Sequence, residues 1–66
     1  MYKNKIKETR KERGLTLMEL AEITGISAGY ICHLEKGTRK NPSAQIMEKI
    51  SLALNKSIYE IFFIGQ

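Results

Sequence analysis

The sequence predicts a compact all-α domain of five short helices. Three observations predict it. Apolar residues recur at helical spacing, as in Leu17, Leu20, Ala21 and Thr24, and no segment reads as a strand. Helix-start signals stand before the periodic stretches, among them two boxes of the form S/T-x-x-E at Thr16–Glu19 and Ser57–Glu60. Stop signals follow at Gly14, Gly25 and Gly37. Each signal is worth only about 0.5–2 kcal/mol. Their mutual agreement is what specifies the fold.

The first helix is expected from about residue 3 to residue 13, closing at Gly14. It has only Tyr2, Ile6 and the stem of Arg10 to bury, so it docks partly through long side chains. The second starts at Thr16, whose hydroxyl can accept from the Glu19 N–H while Glu19 reaches back to the Thr16 N–H. Leu15 and Leu20 have the spacing of a hydrophobic staple, Ala21 allows close approach of a crossing helix, and Gly25 ends the helix. Ser27 caps the third helix, with Ile26 and Ile31 as a second staple. Ile31 and Leu34 turn inward; Ala28, Gly29, Cys32 and His33 turn outward or lie at the boundary. After the basic loop TRKN, Pro42 and Ser43 open a fourth helix with Ile46, Met47, Ile50, Leu52, Ala53 and Leu54 as its apolar set and Asn55 as its cap. Ser57 opens the fifth helix, which carries Ile58, Ile61, Phe62, Phe63 and Ile64. No linker, repeat or low-complexity segment interrupts the series, and residues 1–66 read as one domain.

The composition narrows the function. At 42% hydrophobic residues the chain can form a core, although 66 residues leave a small one. There is no Asp, one His, one Cys and no glycine-rich phosphate loop, which leaves no constellation for an enzyme. No zinc spacing of Cys and His exists, and no cofactor is implied. One cysteine cannot form an internal disulfide, which points to a reducing compartment, most simply the cytoplasm. Residues 1–13 are basic and lack the apolar core of a signal peptide. No apolar run approaches the roughly 20 residues that span a bilayer, so no membrane role is expected.

Charge is distributed unevenly. Residues 1–13 carry six Lys and Arg against two Glu, residues 14–35 carry three Glu, and residues 36–41 carry Lys36, Arg39 and Lys40. Two basic segments thus flank residues 16–36, where two helices are joined by the turn at Gly25. That unit is a helix-turn-helix, whose second helix commonly occupies the major groove of DNA. The flanking charge stands where phosphates would lie, although charge alone also fits a solvated basic surface.

The ordered set I-K-E-x-R-K-E-R-G-L-T, E-L-A-E…G-I-S…Y-I…L-E-K-G, R-K-N-P-S and A-L-N-x-S-I-Y-E-I-F resembles the Cro/repressor-type, or Xre, helix-turn-helix family over nearly the whole chain. The resemblance implies a lambda-repressor-like five-helix domain with the Ser27–Glu35 helix as the recognition helix. It also implies an ion pair between Arg10 and Glu35. Five positions depart from the family's pattern. Leu17 replaces a frequent Gln, Thr9 replaces a usual Leu, and Ala28, Gly29 and His33 stand where long polar side chains are frequent.

Base-edge contacts are expected from Ser27, Ala28, Gly29, Cys32 and His33. Small-residue access would set Ala28 against a thymine methyl, and His33 would meet a purine acceptor or stay a solvent-exposed bystander. Cys32 has no base spaced to activate it and reads as a packing or groove-edge residue. Phosphate-side contacts are expected from Lys36, Thr38, Arg39, Lys40 and Asn41, and from Leu17, which can offer only apolar contact. Tyr30 either donates to a phosphate or is partly buried with a wet tip. The surplus of apolar residues in the fifth helix suggests a dimer interface formed by Ile58, Phe62, Phe63 and Ile64.

The expected function is sequence-specific binding of double-stranded DNA by a homodimeric transcriptional regulator, a repressor on a two-fold symmetric operator. No separate small-molecule effector domain is expected in these 66 residues. The alternative is an antitoxin-type module that neutralises a toxin-type partner protein and autoregulates through DNA.

Overall fold

The computed structural model describes residues 4–39 and 41–63. Its elements are α1 (Ile6–Glu12), α2 (Leu17–Thr24), α3 (Ala28–Lys36), α4 (Ala44–Leu54) and α5 (Ile58–Phe62), with no strand among the described residues. Each boundary has a local cause. Thr16 and Ser57 close both halves of their capping boxes, with Thr16 N–H to Glu19 Oε1 and Ser57 N–H to Glu60 Oε1 both 2.8 Å. Ser27 and Ser43 accept from the Tyr30 and Ile46 N–H groups, each at 3.2 Å. Gly14, Gly25, Gly37 and Asn55 all adopt the left-handed conformation after a helix.

α1 begins later than its composition suggests, and tertiary contacts set its start. The Asn4 carboxamide accepts from the Ile6 N–H at 3.0 Å and donates to the Leu34 carbonyl at 2.8 Å. The Lys5 N–H donates to the Ile61 carbonyl at 2.8 Å. The start of α1 is therefore tied to α3 and α5 at once. Tyr2, expected to help bury this helix, lies outside the described residues.

The core is made by Ile6, Leu20, Ile26, Ile31, Leu34, Ile50, Leu54, Ile61 and Phe62, so every helix contributes to it and Ile26 adds to it from the turn. α2 packs on α3 and α4, while α1 closes over α3, α4 and α5. Burial of each large aliphatic side chain contributes about 1.5–3 kcal/mol.

Two expectations are corrected by this packing. Leu52 is 75% exposed, whereas Ser51 is buried at 4%. At 100° per residue Leu52 points about 200° away from Ile50, while Ser51 falls between Met47 and Leu54 on the inner face. Phe62, expected at a dimer interface, is 3% exposed and belongs to the core. Ile58, Ile61 and Phe62 share the inward face by i, i+3, i+4 spacing, and Ile58 is half-buried against the same cluster.

Candidate nucleic-acid interface

The helix-turn-helix is built from local bonds around a buried threonine. Gly25, at φ 75°, turns the chain out of α2, and its N–H reaches the Ala21 carbonyl at 2.8 Å. Thr24 then stitches the turn: its hydroxyl donates to the Leu20 carbonyl at 2.8 Å and accepts from the Ile26 N–H at 3.2 Å. This holds the approach of α3 to α2, and Ile26 and Ile31 anchor the base of α3 in the core.

A second constraint fixes α3 from its other end. Arg10 Nε lies 2.7 Å from Glu35 Oε2 and Nη2 lies 3.3 Å from Oε1, a two-point contact. Arg10 Nη1 also donates to the Leu15 carbonyl at 2.9 Å. The two side chains are only 11% and 5% exposed. One guanidinium thus joins α1, the loop before α2 and the end of α3. A pair buried this far is better evidence of fixed geometry than of added stability.

With Ile31 and Leu34 buried, the outer surface of α3 presents Gly29 and His33 to solvent, with Ala28 and Cys32 half-buried beside them and exposed Ser27 at the helix start. The Ser27 oxygen caps the helix, and its hydroxyl proton has no acceptor among the described residues. A Cβ built on Gly29 meets nothing within 4 Å, so this face is open as well as small.

Around that face, the residues expected at phosphates occupy distinct settings. Lys36, Thr38, Arg39 and Asn41 are exposed, Leu17 and Tyr30 are half-buried against the core, and Lys40 lies outside the described residues. Arg39 places its guanidinium carbon 5.1 Å from the centre of the Tyr30 ring, a cation–π arrangement that holds the charge beside α3. Thr38 does not project freely: its hydroxyl lies 2.8 Å from His33 Nδ1 and 3.1 Å from the His33 carbonyl. Of the acids in this region, Glu35 is bound by Arg10 and Glu19 by the Thr16 cap.

Sequence reasoning missed the Thr24 stitch, the Asn4 bridge and the pairing of Thr38 with His33. The first had a signal, since Thr directly before a helix-ending Gly can bond its own turn. The others join residues whose proximity depends on the tertiary fold or the path of a loop.

Two helices held by a buried threonine stitch, a two-point ion pair under the second of them and a bare outer face define a helix-turn-helix protein. The chain belongs to the helix-turn-helix family, in its Cro/repressor class, with the family profile matching residues 6–61. It is 39% identical over 61 residues to the HTH-type transcriptional regulator SinR of Bacillus subtilis (strain 168), covering 92% of this chain and 55% of SinR. It is 46% identical over 59 residues to an uncharacterised HTH-type transcriptional regulator of Methanothermobacter thermautotrophicus, covering 89% of this chain and 84% of that protein. The crystal structure of SinR in complex with DNA is similar with a TM-score of 0.80 at 42% identity, covering 83% of this chain and 87% of that one. A SinR/SinI complex gives the same TM-score and covers 53% of its chain. This chain thus spans about half the length of SinR. No helix among the described residues is long and apolar enough to cross a membrane.

Proposed function

We propose that this chain is a sequence-specific double-stranded DNA-binding transcriptional regulator, a repressor that binds a two-fold symmetric operator as a homodimer. The observation that carries the reading is the outer face of α3, which is exposed, held from beneath by Arg10–Glu35, and followed by the exposed basic residues Lys36 and Arg39. The likeness to SinR, whose structure was solved with DNA, supports it.

In this mechanism α3 enters the major groove with Ser27, Ala28, Gly29, Cys32 and His33 toward base edges. Lys36, Arg39, Lys40 and Asn41 meet phosphates, with Tyr30 and Leu17 at the groove edge. The small side chains give close approach but few hydrogen bonds, so phosphate contacts supply most of the affinity. Two recognition helices would enter half-sites about 34 Å apart. Bound to its operator, the dimer represses by occupying DNA that polymerase needs. Selection of bound sites from a random DNA pool tests the reading: it should return a two-fold repeat with that spacing. A pool that never enriches would remove DNA binding.

A second reading is an antitoxin-type module whose main role is to neutralise a protein partner. Exposed Ile23 and Leu52, 57% and 75% accessible, favour it, because they line one groove at the seam between α2 and α4. Co-purification with the product of a neighbouring gene separates the two readings.

A further inference from the structure

Thr38 sets the hydrogen-bonding role of the outer edge of His33, an inference that rests on the DNA-binding role. His33 lies on the exposed side of α3, and Thr38 follows the left-handed Gly37. The Thr38 N–H donates to the His33 carbonyl at 3.0 Å, and the Thr38 hydroxyl donates to the same carbonyl at 3.1 Å. The hydroxyl oxygen also lies 2.8 Å from His33 Nδ1.

A threonine hydroxyl has one hydrogen and two lone pairs. A carbonyl has no hydrogen to give, so the hydroxyl hydrogen is committed to it. Toward Nδ1 the hydroxyl can then only accept, and Nδ1 carries the hydrogen that it donates. The 2.8 Å separation suits such an N–H···O bond. The opposite assignment would keep one bond in place of two and leave the hydroxyl and carbonyl oxygens 3.1 Å apart with no hydrogen between them. A neutral imidazole has a single N–H, so Nε2 keeps a bare lone pair. Among the hydrogen bonds of the described residues, Nε2 has no partner.

We propose that Thr38 is a positioning residue that holds His33 as the Nδ1–H tautomer, so that His33 Nε2 accepts from the exocyclic amine of an adenine or cytosine in the major groove. Adenine N6 and cytosine N4 are the donors that bases present there. Guanine offers N7 and O6 and thymine offers O4, all acceptors that would face the Nε2 lone pair. His33 thus meets a base donor and not a purine acceptor, the partner its residue type suggested. The pair selects adenine or cytosine and rejects guanine and thymine at one position of the contacted strand in each half-site. Thr38 contributes to base choice through His33 and not to phosphate binding.

The test compares sites selected from random DNA by the parent chain and by the Thr38→Ser, Thr38→Val and His33→Ala variants. The parent and Thr38→Ser should select adenine or cytosine at one position. Thr38→Val and His33→Ala should lose that preference by roughly two- to tenfold, the range of one hydrogen bond. Affinity for random DNA should not change. Deleting the amine of the selected base, with purine in place of adenine or 2-pyrimidinone in place of cytosine, should weaken the parent by the same factor and leave His33→Ala unaffected. A parent that selects guanine or thymine there, a Thr38→Val variant that keeps the preference, or a parent indifferent to the missing amine overturns the inference. So does uniform weakening of Thr38→Val on all DNA, which would assign Thr38 to a phosphate. Nitrogen-15 NMR of the neutral imidazole in the free protein gives an arm that needs no DNA. Hydrogen on Nδ1 in the parent and in Thr38→Ser, shifting toward Nε2 in Thr38→Val, supports the pairing. Hydrogen on Nε2 in the parent overturns it while leaving DNA binding intact. Failure to enrich any sequence overturns the DNA-binding role and this base contact together.

Discussion

Gly29 shows how much a single bare position can matter. It sits within α3 with open space above it, so an added methyl meets nothing in the protein. Gly29→Ala should therefore stabilise the helix by about 0.5–1 kcal/mol and raise the melting temperature by a few degrees. The same methyl would occupy the gap between α3 and the base edges, so specific DNA binding should weaken. Calorimetry and a binding titration check the two halves, and unchanged binding would place Gly29 away from the groove. Arg10 is the opposite case, a large residue fixed on all sides. Arg10→Met leaves the Glu35 carboxylate buried without its partner, which costs about 3–5 kcal/mol. That approaches the whole stability of so small a domain. Adding Glu35→Leu should recover much of the loss, because no charge is then stranded. Thermal unfolding of both variants decides it: a double variant no more stable than Arg10→Met would refute the stranded charge as the cause.

At the scale of elements, the short helices depend on their caps. α5 has five residues, too few to persist alone, and its start is closed by Ser57 and Glu60. Hydrogen bonds from the Ser57 backbone and hydroxyl hold the Glu60 carboxyl below its usual 4.5, with Lys56 adding a smaller pull in the same direction. A carboxyl lowered by folding contributes stability that is present above its unfolded value and lost as pH falls through its folded value. Acid should therefore loosen α5 below about pH 4.5. Glu60→Gln keeps an acceptor but cannot titrate, so its stability should vary less with pH over that interval. Stability curves of equal steepness would exclude the cap as a source of acid sensitivity. The same helix divides its aromatic residues. Phe62 fills the core, while Tyr59 and Phe63 stack outside it with ring centres 5.2 Å apart. A dimer surface on α5 would therefore use Tyr59 and Phe63; Ile64, also expected there, lies outside the described residues.

For the whole molecule, dimensions and charge govern how DNA would be met. The protomer measures 29 × 21 × 20 Å, so two copies side by side can set their recognition helices about one helical turn apart. In sedimentation at micromolar concentration, Tyr59→Ser with Phe63→Ser should give monomers that remain folded, whereas Phe62→Ala should unfold, losing about 3–5 kcal/mol of core packing. A parent chain that sediments only as monomer would remove α5-mediated association in free solution. Arg39, held over Tyr30, should act on all sequences alike. Arg39→Ala should weaken binding to specific and random DNA equally and lower the salt slope by about one unit. An unchanged slope would take Arg39 out of the phosphate contacts.

The caps at Thr16, Ser27, Ser43 and Ser57, and the left-handed closures at Gly25, Gly37 and Asn55, are readable along the chain because each joins residues at most five apart. They determined the five-helix class, and with it the helix-turn-helix and the outward face of α3. Tertiary structure decided what local pattern left open. It set which faces of α4 and α5 turned inward, burying Ser51 and Phe62 and leaving Leu52 and Tyr59 outside, since packing against the other helices fixes which side of a helix is covered. It delayed α1 until Asn4 could meet Leu34, 30 residues away. It also brought Thr38 back onto His33, because the left-handed Gly37 reverses the chain there. Sequence alone determined that this protein carries a helix-turn-helix; only the closed fold decided which atoms its second helix offers, because those atoms are set by contacts between segments and not by spacing along one.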